Sequence, residues 1–187
     1  KEALAFEKAK QYRQAAKSFS SFHAEFPQDK NADRALYNAM LNYYRVGEVQ
    51  DAVASGKLLL AQYPKSTVRP DVIASLGATH ESLADFETAA YYYKELSSSY
   101  PKDKRAPQAH FNSALLYKGL KEYGQASSLL RSFPKKHKGN KIEADALREL
   151  AVVLELKEDY PGAARTYGEF AAKHGTKEQK LHAQAKQ

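Results

Sequence analysis

Six histidines and a scatter of neighbouring acids are the residues of this 187-residue chain that could do chemistry. His80 stands near Glu81 and Asp85, the one arrangement here that suggests an imidazole–carboxylate pair for proton transfer. His137 and His174 lie 37 residues apart, a spacing that would let neighbouring structural units present two imidazoles to a metal. Glu158-Asp159 is an adjacent acid pair. The chain has no G-x-x-x-x-G-K-[ST], G-x-G-x-x-G, H-E-x-x-H or G-x-S-x-G motif. It also lacks cysteine, which removes disulfides, thiolate metal sites and thiol catalysis together. The positions of the histidines argue for packing. Where His80 stands, equivalent positions hold Phe6, Tyr43 and Tyr117; where His137 and His174 stand, they hold Phe26, Tyr63 and Tyr100. Glu158-Asp159 reads as a turn and a helix cap. The expectation is a protein that is no enzyme and uses no cofactor, metal or small-molecule substrate.

Those equivalences rest on a repeat. Stretches beginning at Tyr12, Val49, Phe86, Tyr123 and Tyr160 start 37 residues apart, and all five carry alanine three places on, at Ala15, Ala52, Ala89, Ala126 and Ala163. Four places after the alanine come Phe19, Gly56, Tyr93, Leu130 and Tyr167; seven after it come Phe22, Leu59, Leu96, Phe133 and Phe170. Apolar residues at i, i+4 and i+7 make one face of an α-helix. A second helix precedes each: Ala35 to Val46 carries Leu36, Ala39, Met40, Tyr43 and Val46 on one side. Gly47-Glu48 and Ala84-Asp85 break the pairs, and Glu48, Asp85, Glu122 and Asp159 bring negative charge to the start of each second helix, where it complements the dipole. Pro70, Pro107 and Pro161 suit first turns, where an N–H has no intrahelical partner. Pro134 stands inside the fourth second helix and is expected to cut it short, leaving Lys135–Lys141 as an enlarged loop.

The alanine has a packing reason. Where two helices approach closely, a larger side chain would hold the axes apart, and overpacking costs about 1–3 kcal/mol. Small residues at Ala3, Gly77, Ala114 and Ala151 face it from the first helix, with Met40 as the exception. A lone pair of helices cannot bury its outer faces, so each unit depends on its neighbours.

Leu76-Gly77, His80, Ala89, Tyr93, Leu96 and Pro101 follow the order of apolar, small, aromatic and proline positions that marks the tetratricopeptide repeat, and the chain resembles that family over nearly its whole length. Two departures are Leu36, Ile73, His110 and Leu147 in place of the usual tryptophan-like anchor, and Pro134. The resemblance implies an all-α, right-handed α-solenoid in a single domain. Its units span about 1–29, 33–66, 70–103, 107–140 and 144–177, with a further helix starting at 178–187. The 37-residue period and the aromatic–Pro endings are similar to bacterial envelope members, namely the outer-membrane β-barrel assembly lipoprotein and the TolA-binding coordinator. That similarity implies a periplasmic or outer-membrane setting. The family's usual function is protein–protein interaction, with a peptide or helix of a partner held in the concave groove. Carried onto this chain, the groove-lining residues are Arg34, Tyr37, Leu41, Tyr44 and Arg45, then Phe111, Leu115, Lys118 and Arg148. Members that clamp a chaperone's C-terminal carboxylate use Lys and Asn where Tyr37 and Leu41 stand, so a clamp is not implied.

Charge supplies the alternative. The formal net charge is +7, and all of that excess lies from Lys94 onward. Lys102, Lys104, Arg105, Lys135, Lys136, Lys138 and Lys141 would lie on the edge formed by the inter-repeat loops. Such an edge attracts an anionic surface such as nucleic acid, glycan or lipid headgroups. The loop bases lack the interleaved aromatics that stack nucleobases. The chain opens at Lys1 without methionine and shows no polar capping helix at either end, so it reads as part of a longer protein, or as one whose uncapped ends self-associate.

Overall fold

A computed structural model describes residues 1–174. Among them are ten helices and no strand. α1 is Glu2–Lys8, α2 Tyr12–Glu25, α3 Ala32–Arg45, α4 Val49–Gln62, α5 Arg69–Ser82, α6 Phe86–Ser99, α7 Ala106–Gly119, α8 Tyr123–Lys136, α9 Glu143–Leu156 and α10 Tyr160–His174. The start of a further helix at 178–187 lies outside the described residues. No described helix is long and apolar enough to cross a membrane. The chain divides into two compact units, Lys1–Thr79 and His80–Gln187.

The repeat is visible in the backbone before any side chain is considered. The turn between the two helices of each pair passes through the left-handed region at Lys10, Gly47, Ala84, Lys121 and Glu158, one residue every 37. Each second helix then ends for a local reason. Phe26, Tyr63 and Tyr100 sit at φ near −120° to −130°, outside the helical region, because the following proline excludes it. His137 adopts the same conformation at φ −129° with no proline after it. Short polar side chains at Asp29, Ser66, Asp103 and Asn140 then bond the backbone N–H two residues on and launch the next first helix.

One expectation needs correction here. Pro134 does not cut α8 short: the helix runs to Lys136, so Lys135 and Lys136 are helical and the loop is no longer than its equivalents. A proline this near the C-terminus removes one hydrogen bond, and the His137 N–H still reaches the Phe133 carbonyl at 2.9 Å. The acids at the second-helix starts also differ in role. Asp85 and Asp159 accept backbone N–H bonds from Thr88 and Gly162, whereas Glu48 and Glu122 make no side-chain cap and bond elsewhere.

In the first unit, Ala3, Ala15, Phe19, Ala35 and Ala39 form a core that Phe6, Phe22 and Tyr43 flank. Met40 and Gly56, the two exceptions to the small and large positions, turn out to be one feature. A Cβ on Gly56 would lie 2.9 Å from Met40 Sδ, so the missing bulk of α4 is supplied from α3. In the second unit the core is built from Ala90, Ala114, Tyr117, Ala126, Leu130, Phe133, Leu150, Leu154 and Ala163 among others.

Candidate partner-binding surfaces

On α3, Tyr37, Leu41 and Tyr44 are half-buried, and none of the three belongs to the cluster of Ala3, Ala15, Phe19, Ala35 and Ala39. That role falls to Tyr43, one residue along and a helical step away. The Tyr44 hydroxyl is hydrogen-bonded to Thr79 Oγ1 at 2.7 Å, and burial pushes its phenol pKa up. Arg34 is exposed and lines a cavity of about 670 Å³ between the starts of α1 and α3 and the second half of α2, together with Leu4, Phe19, Phe22, Glu25 and Asn38.

The charged anchors expected beside this face are engaged within the chain. Arg45 Nη1 donates to Glu7 at 3.0 Å and its guanidinium lies 5.0 Å from the Tyr12 ring centre. Lys118 meets Glu149 at 2.5 Å, and Arg148 meets Asp145 one helical turn away. For Arg45 and Lys118 the reason is the 37-residue stagger: a first-helix cation in one pair stands beside an acid of an adjacent pair, which no single pair reveals. Phe111 also differs from expectation. It packs on the core of the second unit, with its ring 6.4 Å from that of Phe133, so it does not point away from the Ala126 layer. Leu115 is half-buried and outside that cluster.

Of the basic edge, Lys102, Lys104, Lys135, Lys136, Lys138 and Lys141 are exposed. Arg105 is taken up locally: its side chain donates twice to Asp103, and this bond holds the carboxylate pKa down at about 2. Arg69 reaches back to the Leu60 and Tyr63 carbonyls, capping α4.

The histidines pack, with polar partners that sequence reasoning did not find. His80 Nδ1 donates to Asp85 Oδ2 at 2.9 Å while its ring stacks on Tyr92, so the imidazole steadies the carboxylate that caps α6. The Asp85 pKa is lowered by the Thr88 hydrogen bond first and by His80 after it. His137 pairs with His110. His110 is 1% exposed; its Nε2–H donates to the Leu129 carbonyl at 3.0 Å, which leaves Nδ1 to accept from His137 Nε2–H, also at 3.0 Å. Desolvation lowers the His110 pKa to about 4, helped by His137 and Lys136; the His137 pKa is lowered by burial and by Lys136. The signal was present in the sequence as one unit carrying histidine at two positions that hold leucine or isoleucine and an aromatic elsewhere. Among the described residues no group of three or more His, Cys, Asp or Glu is placed to hold a metal.

Residues 1–29 match the family model of the tetratricopeptide repeat. No curated protein matches the sequence significantly. Solved structures match over almost the whole chain. MamA (AMB-1) is 15% identical with a TM-score of 0.60, over 96% of this chain and 93% of that one. YrrB, a tetratricopeptide-repeat protein with an unusual peptide-binding site, is 17% identical with a TM-score of 0.56, over 98% and 88%. A tetratricopeptide-repeat protein from Parabacteroides merdae is 17% identical with a TM-score of 0.58, over 97% and 69%. At such identities the likeness is one of fold. The five-fold register, the match over the first pair and these neighbours together make the chain an all-α protein with the tetratricopeptide-repeat solenoid fold.

Proposed function

We propose that this protein is a non-catalytic scaffold that holds a peptide or helical segment of another protein against its first-helix faces. The observation that carries the reading is on α3: Leu41 and Tyr44 stay half-buried and outside the cluster that Tyr43 flanks. Aromatic and aliphatic side chains left in that state serve as interface anchors. YrrB, a neighbour of the same fold, has a peptide-binding site, which supports the assignment of this kind of function. Because Arg45, Lys118 and Arg148 are already ion-paired, the recognised segment is chiefly apolar. The reading extends to one continuous array of pairs and to a bacterial envelope assembly as its setting.

Selecting a 12-residue display library on the whole chain and measuring Kd for the best peptide tests this. Leu41→Ala and Tyr44→Ala should each weaken that binding by about 1–3 kcal/mol with little change in thermal stability. Unchanged affinity in both variants would remove α3 from the site. Phe111→Ala is a poor probe, because loss of its contact with Phe133 lowers stability as well.

A second reading has its own observation. Lys102, Lys135, Lys138 and Lys141 are exposed and neither hydrogen-bonded nor ion-paired among the described residues, which suits an anionic partner. Binding to a 30-nucleotide single strand that weakens steeply with salt, and is lost on Lys135→Glu, Lys136→Glu and Lys138→Glu together, would establish it.

A further inference from the structure

One pair in the second unit lacks the side chains that close the same place in the first. In the first unit, the ring of Tyr12 at the start of α2 is covered by Arg45 from the end of α3, and Arg13 meets Glu48 at 2.6 Å. Adding two periods takes these four residues to Phe86, Gly119, Glu87 and Glu122. The aromatic is retained, but the covering arginine has become glycine. The salt bridge has become two carboxylates.

The structure shows the consequence. Phe86 is 43% exposed, and a Cβ built on Gly119 meets nothing within 4 Å. Glu87 and Glu122 both raise the pKa of the Tyr117 phenol, after burial, which sets the two carboxylates around one hydroxyl. Glu87 makes no ion pair or hydrogen bond among the described residues, and Glu122 accepts only from Gln125, at 2.6 Å. Glu81, whose counterpart Glu7 holds Arg45, accepts instead from the Tyr93 hydroxyl at 2.6 Å. The nearby cations do not close the place. Lys94 lies over Tyr117 and reaches Gln125, Lys118 is held by Glu149, and Lys121 is exposed in the turn. Leu83, three residues before Phe86 in the chain, and Leu120, next to Gly119, are both exposed.

We propose that this notch takes an arginine side chain of another protein, stacked on Phe86 and ion-paired to Glu87 and Glu122, with apolar neighbours of that arginine resting on Leu83 and Leu120. The guanidinium fits because the same fold already seats one on Tyr12, and because a planar cation can lie on a ring and meet a carboxylate at once. The surface is the helix-turn edge, separate from the first-helix faces, so it does not depend on them.

The test titrates acetyl-Leu-Arg-Leu-amide into the whole chain, followed by amide chemical shifts, beside its citrulline analogue, which has the same shape without the charge. Saturable shifts at Phe86, Glu87, Gly119 and Glu122 are expected with the arginine peptide, and binding about tenfold weaker or absent with citrulline. Gly119→Arg, which restores an arginine within the chain, should abolish the shifts, while Gly119→Ala keeps them. Should Gly119→Arg fail to fold, Glu87→Gln with Glu122→Gln probes the same contact by charge removal, and that variant should lose the binding. Equal binding of both peptides, full binding by Gly119→Arg or by the double glutamine variant, or no shifts at these four residues would each overturn the proposal. Shifts confined to Leu41 and Tyr44 would overturn it too, while leaving the first-helix faces standing.

Discussion

Met40 and Gly56 show how a repeat tolerates exceptions. Each breaks the pattern at its own position, and read along the chain they are two unrelated irregularities. Across the α3–α4 contact they are one exchange of volume, since the space a Gly56 side chain would need is where Met40 Sδ lies. Met40→Ala should therefore cost about 2–5 kcal/mol, as a buried cavity does. Gly56→Ala gains helix propensity, yet its Cβ also meets Val72 and Leu76 at 3.3 and 3.4 Å, so a net loss of about 1 kcal/mol is expected. The double variant should be more stable than the two losses combined, by more than about 0.5 kcal/mol. Urea unfolding of the four proteins measures this, and additive losses would show that the two sites are independent. The pattern of sizes was legible in the sequence. The pairing of the exceptions was not, because it depends on which atoms meet between helices.

At the scale of the element, the helices were readable because alanine, the large positions and the breaks all recur at one period. The turn conformation between them was not. Lys10, Ala84, Lys121 and Glu158 adopt φ near +60°, where only Gly47 among the five equivalents is free of a Cβ penalty. Nothing in a lysine, alanine or glutamate announces that geometry; only its equivalence to Gly47 does. Ala84→Gly and Lys121→Gly should each stabilise the fold by about 0.5–1 kcal/mol, the relief of strain exceeding the added chain entropy. Thermal melts provide the check, and a drop in Tm for both would mean that these turns are not strained. Pro134 makes the converse point. Propensity argued for a broken helix, but the lost bond falls in the last turn, where Phe133 and His137 rings 4.9 Å apart anchor the chain end regardless.

For the molecule as a whole, the sequence located charge correctly as composition and incorrectly as availability. The excess from Lys94 onward is real, yet within it Lys118, Arg148 and Arg105, and Arg45 before it, are each occupied by an acid, either close by in the chain or on a neighbouring pair. The stability of such an array is local, carried by each pair and its neighbours, so a titrating group should loosen the unit that holds it. The second unit holds the His110–His137 pair. Its bond needs His110 Nδ1 unprotonated, and protonation would turn two N–H groups against each other beside Lys136. The folded His110 pKa, about 4, is below the ordinary 6.5, so the unfolded chain binds the proton first. Stability from this group is therefore full above about pH 6.5 and is lost as pH falls toward 4, on the order of 3 kcal/mol. Hydrogen exchange at pH 7 and pH 4.5 should show α7 and the end of α8 losing more protection than α3 and α4. The register supplies the control. His110→Leu with His137→Tyr installs the residues that Leu36 and Tyr63 hold in the first unit, and should remove the difference while keeping the fold. If the double variant loses protection over α7 and α8 as steeply as the natural chain, the acid sensitivity arises elsewhere.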